Sequence, residues 1–374
     1  MTRIVVGGRV ASAWGQGGAI WAVANWLLGF EALGHDVTLV EPVDSIEIAA
    51  LAGTLSATRS TLCDMGVAAD FLPVRRNGPL GAMTDARAAI GRSDVVFDLS
   101  GVLGASGLLG AGRLGEGSHR RVFVDIDPGF TQCWARDGLI DLIPYDAHIT
   151  VGTRIGTLGC PIPTNGIDWI TTVPPVWLAA WASVPPPVSG SWTTVANWRS
   201  YGSPQLDGQR LGQKAHAVRQ LLKLPELTEQ RVIVALDIHP DERSDIEAMA
   251  THRWELVDPG VASTPLGFGQ FIADSTGEIG IAKEGYVVGA TGWISDRTLA
   301  YLAAGRPAVV ADTGVAPELM SGAGLLVFAD AHGAADAIAT VESELADHSR
   351  AARSWASQHA DSMKVCSSLL DTVS

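Results

Sequence analysis

Residues 291–314 read TGWISDRTLAYLAAGRPAVVADTG, and they contain in order a polar helix start, a short helix, a glycine stop and a buried strand. Ser295 and Asp296 are residue types preferred at the N-terminus of a helix. Gly305 is typical of a helix end, and Pro307 prevents the helix from resuming. The AVVAD run that follows lacks polar alternation, as strands buried on both faces do. The stretch therefore predicts a helix that leads directly into a central strand of a parallel sheet.

The same alternation of strand and helix extends along the whole chain. RIVVGG, DVTLVE, DVVFDLS and RVFVDID are short and rich in β-branched residues. Between the first two lies GAIWAVANWLLGFEALG, whose apolar residues recur at helical spacing before Gly34 ends the helix. This pattern predicts an α/β fold of parallel sheets covered by helices on both faces.

A proline-rich segment divides the chain into two parts. WASVPPPVSGSW at 181–192 interrupts the alternation, and its composition is typical of a semi-rigid connector. We therefore expect an N-terminal domain over 1–185 and a C-terminal domain over 186–345. Residues 346–374 have a helical, amphipathic pattern and form a third segment.

The composition excludes several classes of partner. The chain has 374 residues, of which 47% are hydrophobic and 18% charged, and its net charge is −14. Nucleic-acid or anionic-membrane binding needs a basic surface, which this balance does not provide. An anionic small ligand held by a local cluster of donors remains compatible with it.

Targeting and metal signals are absent from the sequence. MTRIVVGG lacks the features of a secretion signal, and no uninterrupted apolar stretch is long enough to span a membrane. The four cysteines are widely spaced without a CxxC pair, and the nine histidines form no HxxxH motif. We therefore expect a cytoplasmic protein with reduced thiols and without a metal site.

Two segments of the N-terminal half contain candidate site residues. Gly17 and Gly18 separate a strand from a helix in GRVASAWGQGGAIW, and the helix start offers free N–H groups to an anion. Asp125 and Asp127 leave the strand of FVDIDPGFTQ, at the sheet edge where ligands bind in such folds. Either aspartate is a candidate base; the alternative is a simple turn next to proline. Glu41, after the second strand, leaves NAD binding as a lesser alternative to an anion-binding loop.

The C-terminal half adds candidates for an anionic ligand. Arg297 supplies a fork of donors suited to a diphosphate, and Lys283 supplies a point charge. The helix start at Ser295 and Asp296 favours a bound anion by about 0.3–1 kcal/mol. The alternatives are plain helix capping and a solvated charge cluster. Further candidates come from polar residues next to predicted strands, and they are His239, Ser275, Glu278, Asp312 and Thr313.

Residues 301–327, YLAAGRPAVVADTGVAPELMSGAGLLV, resemble the nucleotide-sugar-binding domain of GT-B glycosyltransferases. In those proteins a helix ending in Ala-x-Gly-x-Pro precedes a strand, a glycine turn and Pro-Glu. GGAIWAVANWLLGFEALGHDVTLVE is similar to their first βαβ unit. Three further segments resemble those of a bacterial subgroup of GT-B proteins similar to glycosyltransferase families 1 and 4, and they are CPIPTNGIDW, TVANWRSYG and GWISDRT.

The resemblance implies two Rossmann-like, doubly wound parallel-sheet domains that face each other across a cleft and bind different substrates. The C-terminal domain would bind the sugar nucleotide, the N-terminal domain would bind the acceptor, and the tail would cross back to the first domain. Helix ends and basic side chains, rather than a metal, would stabilise the leaving diphosphate. Many retaining members have two glutamates eight residues apart, but here the corresponding residues are Gly292 and Ala300. Asp296, Glu278 or Glu284 are the possible substitutes for the missing ribose ligand.

These observations predict a sugar-nucleotide-dependent glycosyltransferase that acts in natural-product or glycan biosynthesis. It would transfer a hexose-like sugar to a hydroxyl of a small molecule or glycan, with the sugar nucleotide as co-substrate and no further cofactor. If the enzyme inverts the anomeric centre, Asp127 is the first candidate for the base and Asp125 the second. The alternatives are a sugar-nucleotide 2-epimerase of the same fold and a nucleotide-binding protein without catalysis. Nucleotide, sugar, acceptor, stereochemistry and oligomeric state stay open at this stage.

Overall fold

A computed structural model describes residues 1–75, 83–110, 119–187, 190–320 and 322–373. Within these ranges the chain forms two parallel-sheet α/β domains, which confirms the predicted fold class. The first sheet ends at Thr171 and the second begins at Trp192. We place the domain boundary between them, near residue 185; residues 188 and 189 of the connector lie outside the described ranges.

The N-terminal domain has a sheet of seven described strands in the order β3-β2-β1-β4-β5-β6-β7, all parallel. The strands are β1 (Arg3–Gly7), β2 (Asp36–Pro42), β3 (Asp70–Val74), β4 (Val95–Leu99), β5 (Arg120–Asp125), β6 (Ala147–Thr150) and β7 (Ile170–Thr171). The helices are α1 (Gly17–Ala32), α2 (Ile48–Asp64), α3 (Met83–Arg92), α4 (Val102–Ala105) and α5 (Phe130–Arg136). The strand order reverses at β1, and a crevice forms at the carboxyl ends of strands at such a reversal.

The C-terminal domain repeats this design with a sheet in the order β12-β11-β8-β13-β14-β15 and a small hairpin. The strands are β8 (Trp192–Asn197), β9 (Gln205–Leu206), β10 (Gln209–Arg210), β11 (Val232–Asp237), β12 (Glu255–Val257), β13 (Gly277–Gly280), β14 (Ala308–Ala311) and β15 (Leu325–Phe328). The helices are α6 (Lys214–Gln220), α7 (Arg243–Thr251), α8 (Pro265–Ala273), α9 (Glu284–Val288), α10 (Asp296–Ala303) and α11 (Ala331–Ser343). The order reverses at β8, so both domains place a crevice at the carboxyl edge of a central strand.

The stretch at 291–314 folds as its residues predict. Ser295 is the N-cap of α10, and its hydroxyl accepts a hydrogen bond from the backbone N–H of Arg297 at 3.2 Å. Gly305 follows the helix with a positive φ of 69°, a conformation that favours glycine. Three of the four residues of β14 are buried, as expected for a central strand.

The domains touch where the first helix of the N-terminal domain meets α8. The indole N–H of Trp21 donates to the carbonyl of Pro265 at 3.2 Å. A Cβ on Gly17 would overlap with the carbonyl oxygen of Thr264, so only glycine allows this approach. Across the cleft, the Thr153 hydroxyl donates to the carbonyl of Gly292 at 2.8 Å.

The last segment contains two helices, α12 (Leu345–His359) and α13 (Ser362–Val373), and it runs back along the connector. Helix α12 packs against α10, whereas α13 packs against α1 of the first domain. The Arg353 guanidinium donates to the carbonyls of Leu178 and Trp181 at 3.1 and 3.0 Å, and also to that of Ala303. Val176 pairs with the 360–362 turn through two backbone hydrogen bonds. The chain thus crosses between the domains twice, at neighbouring places.

Candidate functional site

A cavity of about 350 Å³ lies in the cleft, where the carboxyl edges of the two sheets face each other. Residues 15–19, at the start of α1, line it from the N-terminal domain. From the C-terminal domain, residues 195–197 at the end of β8, Asp237 at the end of β11 and residues 295–297 at the start of α10 contribute. The cavity therefore joins the strand reversals of both domains.

Two helix starts point their partial positive charge at this cavity. Gln16 is the N-cap of α1 and forms no side-chain capping bond. Gly17 and Gly18, two of the predicted site residues, follow it in the cavity wall. The start of α10 adds Ser295 and Asp296. Free N–H groups at a helix start favour a negatively charged ligand.

Three cations line the same cavity, namely Lys214, Lys283 and Arg297. The Lys214 ammonium has neither a hydrogen bond nor an ion pair to another described residue. Burial lowers the pKa of Lys214 well below its ordinary value, and the positive charges of Arg297 and Lys283 lower it further. An anion in the cavity would relieve this repulsion, so the electrostatics favour a ligand with negative charge.

The positive charge of Arg297 is partly neutralised by the carboxylate of Glu278. Its Nε lies 2.5 Å from Oε1 of Glu278, which is fully buried in β13. Its Nη1 donates to the carbonyl of Val195 at 2.7 Å. The second guanidinium nitrogen, Nη2, and Glu278 Oε2 are buried without a hydrogen-bond partner among the described residues. Glu278 therefore holds Arg297 at the cavity but lies outside the described residues that line it.

Lys283 forms an ion pair across the cleft with Asp127. Its Nζ lies 3.2 Å from Asp127 Oδ1, and the hydroxyl of Tyr286 donates to the same carboxylate. Tyr201 contacts the ammonium from the other side. Burial raises the pKa of Asp127, while the Lys283 charge and the Tyr286 hydrogen bond oppose that rise. The first candidate base is thus at the cleft, but it is paired.

The strand-end carboxylates of the N-terminal sheet are occupied by their own chain. Glu41 is fully buried and accepts hydrogen bonds of 3.0, 2.9 and 2.7 Å from the N–H groups of residues 10–12. Asp98 accepts from the N–H groups of Leu103 and Gly104 and from the Tyr145 hydroxyl, and burial raises its pKa to about 6. Glu41 therefore has no free oxygen for a ribose, which disfavours the NAD alternative.

Asp125 has the same structural role, and this corrects its prediction as a second candidate base. It is fully buried, and its carboxylate accepts from Gln132 Nε2 and Thr150 Oγ1, both at 2.7 Å, and from the Asp127 N–H at 2.9 Å. A base must reach the proton that it removes. Asp125 instead fixes the turn that presents Asp127.

Four further predicted donor ligands do not reach the cavity. His239 follows β11 by two residues, and its side chain is 73% exposed outside the cavity. Ser275 precedes β13, at the opposite edge of the sheet, where its hydroxyl bonds to Thr193 at 2.6 Å. Asp312 lies in an exposed turn and accepts from the Gly314 N–H. The hydroxyl of buried Thr313 donates to the carbonyl of Trp293. Their local hydrogen bonds explain them as structural residues.

The two positions where the resemblance would place glutamates are buried or closely packed. Gly292 has a φ of 69°, and a Cβ there would overlap with the hydroxyl of Thr153. Ala300 is buried in the apolar core that contains Leu299 and Tyr301. Among the named substitutes, Glu284 and Glu278 lie outside the described cavity lining, while Asp296 lines the cavity. Burial raises the pKa of Asp296.

Sequence reasoning missed several residues of the cavity wall, chiefly Lys214, Asn197, Asp237 and Trp293. Lys214 is the first residue of α6, where its charge opposes the helix dipole. A lysine at that unfavourable position was the available signal. Asp237 is the last residue of β11, and its side chain lines the cavity. His239, two residues later, lies outside the cavity.

Two searches of the described residues bear on other classes of site. No group of three or more His, Cys, Asp or Glu side chains is arranged to hold a metal ion among them. None of the described helices has both the length and the apolarity needed to cross a membrane.

Solved structures similar to this chain share its fold over their whole length. HepE of Anabaena, determined with UDP and glucose, has 11% identity and a TM-score of 0.62, and the match covers 100% of this chain and 99% of HepE. An alpha-glucosyltransferase determined with UDP and a DNA 13-mer has 13% identity, a TM-score of 0.64 and 100% coverage of both chains. Sucrose-phosphate synthase from Thermosynechococcus elongatus has 10% identity and a TM-score of 0.56, with 100% and 98% coverage.

Comparisons at the level of sequence found no counterpart. No family model matches the chain, and no curated protein matches it. The proposed subgroup near families 1 and 4 therefore stays a prediction. The structural neighbours and the two facing parallel-sheet domains together show that the chain has the GT-B fold, as the sequence predicted.

Proposed function

We propose that the protein is a glycosyltransferase that moves a sugar from a nucleoside diphosphate sugar to an acceptor hydroxyl. One observation carries this proposal: the cleft cavity combines two helix starts with Lys214, Lys283 and Arg297. Both a sugar nucleotide and the leaving nucleoside diphosphate carry negative charge that such a site stabilises. The neighbours of the same fold that were determined with UDP agree with it.

The diphosphate would lie between the start of α1 and the start of α10. Lys214, which lacks a partner among the described residues, would be its strongest ligand, and Arg297 would contribute the positive charge of its largely buried guanidinium. Because the chain itself supplies the positive charge, the proposed reaction needs no metal ion. Asp296 and Asp237 are the cavity carboxylates that remain to bind ribose or sugar hydroxyls.

Asp127 would be the base of an inverting transfer. Its carboxylate would accept the proton of the acceptor hydroxyl while the acceptor oxygen bonds to the anomeric carbon of the sugar. The bond from that carbon to the diphosphate oxygen would break, and its electron pair would leave with the diphosphate. The acceptor, a small molecule or a glycan, would approach from the N-terminal domain, which supplies Asp127.

Calorimetric titration with UDP, GDP and dTDP tests the donor site directly. We expect one of them to bind, and the matching sugar nucleotide to be consumed in the presence of EDTA. NAD is the control ligand, because a dinucleotide site would bind it instead. Binding of NAD alone would overturn the proposal.

The requirement for an acceptor separates this function from its alternatives. A transferase consumes the sugar nucleotide faster when the acceptor is present. Conversion to an isomeric sugar nucleotide without any acceptor would indicate the 2-epimerase. Nucleotide binding without turnover under either condition would favour a binding protein.

A further inference from the structure

Lys283 stands between the cavity and Asp127 and contacts both. Its side chain lines the cavity, whereas Asp127 is outside the set of described residues that do so. Its Nζ lies 3.2 and 3.4 Å from the two carboxylate oxygens of Asp127. Because Asp127 follows β5 and Lys283 follows β13, this ion pair joins the two domains.

The surroundings of Lys283 leave it few other partners. Its side chain is 11% exposed and that of Asp127 is 13% exposed. The Nζ lies 4.0 Å from the ring centre of Tyr201 and 4.7 Å from that of Phe130. An ammonium has three N–H donors, and in Lys283 the two Asp127 oxygens and the Tyr201 hydroxyl already accept from it. A diphosphate in the cavity would therefore compete with Asp127 for these donors.

We propose that Lys283 couples donor binding to activation of the base. The bound diphosphate draws the ammonium away from Asp127, and the freed carboxylate then accepts the proton of the acceptor hydroxyl. The inference rests on the proposed function, with Asp127 as the base. Lys283 is a positioning residue in this scheme, because it acts on the acceptor only through Asp127.

Thermodynamic reciprocity makes the proposal measurable without an acceptor. If the donor weakens the Lys283–Asp127 pair, the pair must weaken the donor by the same factor. Removing the charge of Asp127 should therefore tighten donor binding, even though Asp127 itself does not line the donor cavity. Loss of the direct repulsion between the Asp127 carboxylate and the diphosphate would also tighten binding, so the effect must be shown to pass through Lys283.

A double-mutant cycle separates these two causes. UDP and inorganic pyrophosphate are titrated into the wild type, Asp127→Asn, Lys283→Met and the double variant. We expect Asp127→Asn to bind about fivefold more tightly than the wild type, a typical size for coupling between sites. In the Lys283→Met background the same change should have no effect. Asp312→Asn removes an equal charge from an exposed turn and should leave affinity unchanged.

Two results would overturn the coupling while leaving the donor site intact. One is unchanged affinity in Asp127→Asn, and the other is equal tightening with and without Lys283. Absence of binding of UDP, GDP, dTDP and pyrophosphate to the wild type would instead remove the proposed function itself. Asp127→Ser provides a second variant for the cycle if Asp127→Asn does not fold, which circular dichroism will show.

Discussion

The two domains share one architecture but use the carboxyl edges of their sheets in opposite ways. In the N-terminal sheet, Glu41, Asp98 and Asp125 are buried and accept hydrogen bonds from their own chain. In the C-terminal domain, Lys214 and Arg297 line the cavity, and Lys214 has neither a hydrogen bond nor an ion pair to another described residue. The acidic side chains of the first edge are thus bound within their own chain, whereas the second edge opens on a cavity whose wall contains a lysine without a partner among the described residues.

This difference shows that the position of a charged residue in a Rossmann-like fold does not fix its role. An acidic residue at the end of β2 resembles a ribose ligand until its hydrogen bonds are known. Glu41 satisfies three backbone N–H groups and therefore rigidifies a loop. Lys214 donates no hydrogen bond to a described residue, so the desolvation of its ammonium is offset only when an anion binds.

The largest effect is expected at the buried Arg297–Glu278 pair, where a cation of the cavity wall is bound to a buried carboxylate. Arg297→Met leaves the Glu278 carboxylate buried without its counter-ion and should lower the free energy of unfolding by about 3–5 kcal/mol. Chemical denaturation measures this change. Arg297→Met combined with Glu278→Met should restore stability but not UDP affinity. Full UDP affinity in the double variant would exclude Arg297 from the donor site.

Lys214→Met tests the open edge. A charged hydrogen bond to phosphate contributes up to about 3 kcal/mol, so UDP affinity should fall by about 100-fold while stability is kept. Calorimetric titration gives the affinity, and Lys223→Met, an exposed lysine after α6, is the matched control. Equal losses in both variants would indicate a general charge effect.

The same residue predicts a pH dependence of donor binding. The pKa of Lys214 is lowered in the free protein, and a bound diphosphate raises it again, so binding is tightest below the free-protein pKa. Affinity for UDP-glucose should therefore fall as the pH rises through that value, and Lys214→Met should remove this fall. The other charged groups that act on Lys214 are Arg297, Lys283, Glu278 and Asp296.

Glu41→Gln tests the filled edge and should have a smaller effect. The amide places N–H groups against backbone N–H donors, so the free energy of unfolding should fall by about 2 kcal/mol. UDP affinity should change little, and thermal and calorimetric measurements separate the two properties. Glu47→Gln, at an exposed site near the same loop, is the control. A loss of affinity without a loss of stability would contradict the structural role of Glu41.

The smallest effect is expected at His239. Its ring is exposed outside the cavity, so His239→Ala should change UDP affinity and stability by less than about 0.5 kcal/mol. Asp237→Asn, two residues earlier and in the cavity wall, is the informative companion. A larger loss of affinity at His239 than at Asp237 would show that the cleft closes differently when a ligand binds.

Local patterns were sufficient to predict the fold and the cap of α10, whereas the roles of the site residues stay predictions. The alternation of strands and helices fixed the two parallel sheets, and Ser295 caps α10 as expected. The pairing of Arg297 with Glu278 depends on which strand lies behind the helix, and spacing along the chain does not encode that. Lys214 was missed for the same reason, since its importance comes from convergence with α1 and α10.

The double crossing between the domains limits how the two domains can move relative to each other. Arg353 ties the connector at Leu178 and Trp181 to the returning tail, so the two covalent links behave as one strap. A pair of bodies joined at a single point swivels freely, but a strap of two strands leaves mainly one rotation, about the line through the crossings. We expect such a rotation to open and close the cleft without sliding one sheet edge past the other. Lys283 and Asp127 would therefore meet in the same register at every closure.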